Sequence, residues 1–169
     1  KDHIEIERTK EIINSYEQIF YAELVRLYRR KLGLFKEEKD DLKLVEELLT
    51  WMKSQKKDYT NTFRSFAKNN EDFSDQTGNV WFKKYQERLK IETAIKTERN
   101  TLMNSSNPKY ILRNYLAQEA IQAAEIGDFS SLNTLIEVLK KPYVENENYN
   151  KFSEVPPEWA DKLEISCSS

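Results

Sequence analysis

At 169 residues, with a formal net charge of −2, 33% charged residues and only three Gly and four Pro, the chain fits one helical domain with solvated outer faces. Nine Tyr, eight Phe and three Trp argue against disorder, and the near-neutral charge gives no long-range pull on a phosphate backbone, so no nucleic-acid partner is expected. A single Cys excludes an internal disulfide, one His and one Cys cannot furnish a zinc site, and no apolar run approaches the ~20 residues of a membrane span.

The first predicted helix runs from about Ile4 to Leu32. Ile12, Tyr16, Ile19, Phe20, Leu24, Leu27 and Tyr28 recur at helical spacing, and Ile13, Val25 and Leu32 widen the apolar arc to roughly 200°. So broad an arc predicts a central core helix touching more than one neighbour. Gly33 should end it in left-handed backbone, with Leu34 making the apolar contact of a Schellman motif. Asp40 or Asp41 can cap a second helix to about Ser54, burying Leu44, Val45, Leu48, Leu49 and Met52, and Trp51 in part. Adjacent Glu46 and Glu47 diverge around that helix and make a poor catalytic pair. The basic clusters Arg29–Lys31 and Lys53, Lys56 and Lys57 fall at predicted helix C-termini, where the helix dipole favours cations.

A short helix from Tyr59 to Lys68 carries Phe63 and Phe66 behind a cap by Asp58 or Thr60. Arg64 within it either pairs with an internal carboxylate or faces another domain. Asn69 to Asn79 reads as a polar connection anchored by Phe73 and turned at Gly78, which has no companion glycines to cradle a phosphate. A long helix from Val80 to Met103 follows, carrying Trp81, Tyr85, Leu89, Ile95, Leu102 and Met103, with a more polar middle from Glu92 to Arg99.

From Asn107 to Gly127 both ends of a helix are written into the sequence: Asn107 as cap, Pro108 at the first helical position, Gly127 as the left-handed stop. Tyr115, Leu116, Ala120, Ala123 and Ala124 form its packing face. Asp128-Phe129-Ser130 invites comparison with the Asp-Phe-Gly metal signature of kinases, but no His-Arg-Asp loop lies upstream. Asp128 or Ser130 is better read as the cap of a helix burying Leu132, Leu135, Ile136 and Leu139 and stopped by Pro142. The tail is irregular: Pro156-Pro157 keeps a helix from starting before Glu158, and Trp159 should pin the segment by burying its indole. The expected fold is therefore all-α, a bundle of about six helices over residues 1–142, with an irregular tail, 143–169, packed on it.

Cys167 stands third from the end of the sequence. An accessible thiol there can exchange with a partner's disulfide, or it can be an unremarkable terminal residue.

NPKYILRN (107–114), AQEAI (117–121), GDFSSLNTLIEVLKKPY (127–143) and PPEWADKLEISCSS (156–169), with fainter echoes in DYTNTFR (58–64) and KLGL (31–34), resemble the C-terminal end of the selenoprotein O family. The resemblance implies a parent of kinase-like fold that transfers AMP from ATP onto Ser, Thr or Tyr hydroxyls of proteins, with ATP and Mg bound upstream of this region. The family's nucleotide-binding lysine and glutamate, metal ligands and catalytic aspartate have no matching positions here, so no catalytic, cofactor-binding or metal residue is assigned. In that family a selenocysteine or cysteine precedes two final serines, which implies a redox role for Cys167, pairing with a cysteine elsewhere in the parent or in another protein. The implied partners are the kinase-like domain of the parent and protein substrates; the implied location is cytoplasmic in a bacterium, mitochondrial in a eukaryote. The alternative is an independent helical interaction module, and a third reading is an enzyme built from carboxylates. If the first reading holds, the chain by itself should show an apolar surface on its first helix or its tail.

Overall fold

Two apolar clusters on either side of a polar seam organise the computed structural model, which describes residues 2–68 and 76–163. Those residues form seven α-helices and two short 3-10 segments with no strand among them, so the all-α expectation holds with one helix more than expected.

Helix α1 (Asp2–Lys31) ends as its sequence dictates. Gly33 takes φ +68°, the Leu34 amide donates to Arg29 O at 2.9 Å and the Gly33 amide to Arg30 O at 3.2 Å, and Leu34 is buried. The Tyr85 hydroxyl closes the end by donating to Leu32 O at 2.7 Å. Only these last turns enter a core. The expectation of a central core helix is wrong for the rest: Ile12, Tyr16, Ile19, Phe20 and Leu27 are exposed.

Helix α2 (Asp41–Ser54) buries Leu44, Val45, Leu48 and Met52. Trp51, expected to be partly covered, is buried, and Leu49 is only half so. Neither aspartate caps it in the expected way. Asp40 makes no side-chain cap, and the Asp41 carboxylate accepts instead from the Glu38 amide (3.0 Å) and from Arg88 Nε (2.7 Å). Helix α3 (Tyr59–Ser65) is shorter than predicted but capped by Asp58, which accepts from the Asn61 amide at 2.8 Å.

The single helix expected over Val80–Met103 is two, α4 (Gln76–Leu89) and α5 (Lys96–Ser106). The break has a tertiary cause: Glu92 receives the Phe35 and Lys36 amides at 3.0 and 3.2 Å and Arg88 Nη1 at 2.8 Å, which tethers the intervening turn to the end of α1. Glu98 then accepts from the Ile95 amide to start α5. Gly78 is not a turn but lies inside α4, where a Cβ would stand 2.8 Å from Trp51 Cζ2; its small size lets α4 lie against α2. Phe73 lies outside the described residues. The first cluster joins the end of α1 to α2–α5, with Trp81 stacked on Tyr85 at 5.3 Å and Phe66 edge-on to both.

Helix α6 runs Asn114–Glu125, with Arg113 at its cap, six residues later than the Asn107 cap predicted. The amides of Lys109 and Tyr110 both donate to Pro142 O, at 2.7 and 3.1 Å, so residues 107–113 are held as an extended connection rather than a first turn. Its C-terminus follows expectation, with Gly127 at φ +86° and the Asp128 amide on Ala123 O. Helix α7 (Ser130–Lys140) begins just after Asp128, whose carboxylate accepts from the Ser130 amide. It turns Leu135 and Val138 inward; Leu132 and Ile136, expected in the core, are exposed. The tail forms 3-10 segments at Glu147–Ser153 and Glu158–Lys162, the second starting where Pro156-Pro157 allows. Phe152 is its anchor in the second cluster. Trp159, expected to be buried, is 46% exposed and meets Tyr115 edge-on at its rim.

Candidate functional site

The polar seam between the clusters is built around Arg64 of α3, which is buried. Its Nη1 donates to Asn104 O and to Asn107 O, both at 2.8 Å; Nη2 donates to Tyr143 O (3.2 Å) and to the Glu145 carboxylate (3.3 Å). Of the two roles open to Arg64 in the sequence, the structure shows the internal one, with main-chain carbonyls as its principal partners. One cation thus gathers the end of α5, the 107 turn and the start of the tail. Its Nε is buried with no hydrogen-bond partner among the described residues.

Two further pairs extend the seam. Asn107, fully buried, donates through Nδ2 to Lys31 O at 2.8 Å and accepts Lys31 Nζ at 3.2 Å, which fixes the end of α1 against the end of α5. Asp58 grips Arg113 in a two-point pair, 2.6 and 3.1 Å, while still capping α3. Burial alone would raise the Asp58 carboxyl, but the Arg113 guanidinium and the Asn61 amide outweigh it and hold the group below the ordinary aspartate value. Burial without a compensating carboxylate lowers Lys31. Sequence reasoning flagged Arg64 but missed Arg113 and gave Asn107 the wrong role. The available signal was a charge embedded in the apolar run Tyr110–Leu116.

Two grooves beside the seam's helices assemble no reactive chemistry. One, about 490 Å³, lies between α6, α7 and the tail and carries Glu119, Thr134, Lys151 and Trp159 on its walls. Another, about 400 Å³, lies between α4 and α5 beside Phe82 and Arg99. No group of three or more His, Cys, Asp or Glu side chains converges on a possible ion among the described residues. Cys167 lies outside the described residues.

The second feature is the outer face of α1. Ile6, Ile12, Ile13, Tyr16, Ile19, Phe20 and Leu27 share an arc of roughly 140° at 100° per residue, with exposures from 45% at Leu27 to 69% at Tyr16. This is the apolar surface expected on the first helix, a contiguous exposed apolar face of the kind that marks an interaction surface. No helix among the described residues is long and apolar enough to cross a membrane.

Comparison with known sequences places this geometry in a lineage. Residues 2–140 match the sequence model of the family described as protein adenylyltransferase SelO. A protein nucleotidyltransferase YdiU of Pseudomonas entomophila is 41% identical over 176 residues, one of Pseudomonas fluorescens 41% over 177, and one of Salmonella schwarzengrund 37% over 176. Each alignment takes in 98% of this chain but only 36% of the relative, so the chain spans about a third of the length of the curated proteins it matches.

Replacing Arg64 by Lys leaves one ammonium to face four acceptors. Urea unfolding should show a loss of about 2–4 kcal/mol, and a loss below about 0.5 kcal/mol, the size of an ordinary surface change, would show that the seam does not depend on the fork. For Asp58 the folded value lies below the unfolded value of roughly 3.9. Its stabilisation is therefore complete above about pH 4 and is lost as pH falls through the folded value. Asp58→Asn should lower stability at pH 7 and flatten the acid limb of a stability-versus-pH curve below pH ~4; an unchanged acid limb would refute the assignment.

Proposed function

Because the chain belongs to the SelO family of protein adenylyltransferases, we propose that it is the helical C-terminal region of a protein nucleotidyltransferase, one that supports the catalysis carried out by the rest of the polypeptide. The observation that carries this reading is the alignment itself: nearly all of this chain corresponds to a little over a third of each relative. The parent would move AMP from ATP onto Ser, Thr or Tyr hydroxyls, with ATP and magnesium held by its kinase-like portion. This region contributes folded bulk, fixed by the Arg64 seam, against which that portion packs. Bacterial relatives and an ATP-consuming reaction favour a cytoplasmic setting.

Cys167 is the redox residue of this reading. Its thiolate would attack a disulfide formed by the parent or by another protein, giving a mixed disulfide and releasing the second sulfur as a thiolate. The two serines that follow, and the resemblance of the whole ending, support the role.

Two experiments test these statements. The full-length parent, incubated with α-labelled ATP and magnesium, should label protein hydroxyls, while residues 1–169 alone should transfer no label; labelling by the chain alone would overturn the division of labour. Thiol trapping of the parent after a disulfide oxidant should give a crosslink that disappears in Cys167→Ser and on reduction. A crosslink pattern identical in that variant ends the redox role.

A further inference from the structure

Residues 5–23 of α1 are exposed along their whole length, and α1 joins the rest of the fold only from Leu24 onward. What holds the outer stretch as a helix is local: Lys10 on Glu7, Arg26 on Glu23, and the Thr9 and Ser15 hydroxyls on carbonyls one turn back. Such exposed pairs contribute a few tenths of a kcal/mol each, and a helix of ~20 residues without tertiary contacts is marginal in water. Yet six large apolar residues, Ile6, Ile12, Ile13, Tyr16, Ile19 and Phe20, share one side of it. Tyr16 and Phe20 stack at 6.2 Å, and Tyr21 meets Phe20 edge-on at 5.7 Å, a rigid aromatic centre of the kind that dominates interface energies. Charged Glu7 and Glu11 lie on the opposite side, with Lys10 and Glu17 on the flank, all exposed and suited to remain in water.

We infer that the outer face of α1 is the docking surface for the remaining part of the parent polypeptide, and that the helix from residue 5 to 23 becomes stable only on that docking. The inference rests on the functional reading above and adds to it the surface, its register and its coupling to folding. The occupant is fixed by what is missing: close to two thirds of each relative's length has no counterpart in this chain. That polypeptide is present at high effective concentration because it is covalently joined. Its complementary surface is an apolar groove one helix wide, at least four turns long, with room for an aromatic pair at its centre. A second copy of this chain has no comparable advantage.

Hydrogen–deuterium exchange distinguishes the possibilities. Amides of residues 5–22 should exchange roughly tenfold or more slowly in the full-length parent than in the 169-residue chain, because local opening is suppressed by packing. Phe20→Asp in the parent should restore fast exchange there while leaving α2 and α6 protected, since Phe20 contributes to neither cluster. Glu11→Gln, on the opposite side, should change nothing. Equal exchange in parent and chain overturns the inference; so does protection in the chain alone that grows with concentration, which would name a second copy as the occupant. AMP transfer measured on the same parent keeps the two readings apart. An active parent with an unprotected α1 refutes the docking alone, and an inactive one with a protected α1 refutes only the catalytic reading.

Discussion

The architecture depends on one guanidinium. Arg64 presents a rigid fork of N–H groups, and its four hydrogen bonds end on two segments that are far apart in the chain: the end of α5 with the Asn107 turn, and the start of the tail at Tyr143 and Glu145. Helix ends leave carbonyls without internal partners, and a buried charge without partners costs several kcal/mol. Each defect is the remedy for the other. Two of the carbonyls that α5 and its exit would leave stranded are the acceptors that make a buried cation tolerable. A lysine offers the charge without the fork, and no neutral side chain offers both. Asp58–Arg113 and Lys31–Asn107 repeat the device on a smaller scale, so the two apolar clusters are held in register by directional bonds as well as by packing.

What could be read from the sequence follows the range of the interactions. Gly33 with Leu34, Asp58 before α3, and Gly127 with Asp128 all behave as their residue types dictate, because the partner of each lies within a few positions. Pro108 looked equally decisive, yet the next two amides find Pro142 O, more than thirty residues on, and the helix starts later. The continuous periodicity from Val80 to Met103 hid a break for the same reason: Glu92 is recruited by amides of the α1–α2 connection, which no local pattern records. Gly78, unaccompanied by other glycines, suggested a turn, and only the facing indole of Trp51 explains it. For α1 the apolar arc was legible and its orientation was not. Hydropathy says which side must be covered, and it is silent about what covers it. Arg64 stood out in the sequence, whereas Arg113 and Asn107 acquire their meaning only when residues from opposite ends of the chain meet.

The functional conclusion accordingly comes from lineage and not from an assembled reaction centre. The seam's cations and carboxylates are committed to carbonyls, amides and each other. Burial pushes the Tyr85 phenol up to about 12, and that group donates to Leu32 O as a permanent structural hydroxyl.

The termination of α1 at Gly33 also has a mechanical side. A thirty-residue helix is roughly 45 Å long at 1.5 Å per residue, and this one is clamped at a single end by the Schellman turn and the Tyr85 hydroxyl. A pivot of about ten degrees where packing begins at Leu24, inside the scatter of helix packing angles, sweeps the tip of the free stretch through roughly 6 Å. Small repacking around Leu32 and Leu34 is thus magnified along the rod, and the clamp, rather than the tip, sets where the chain's amino end arrives.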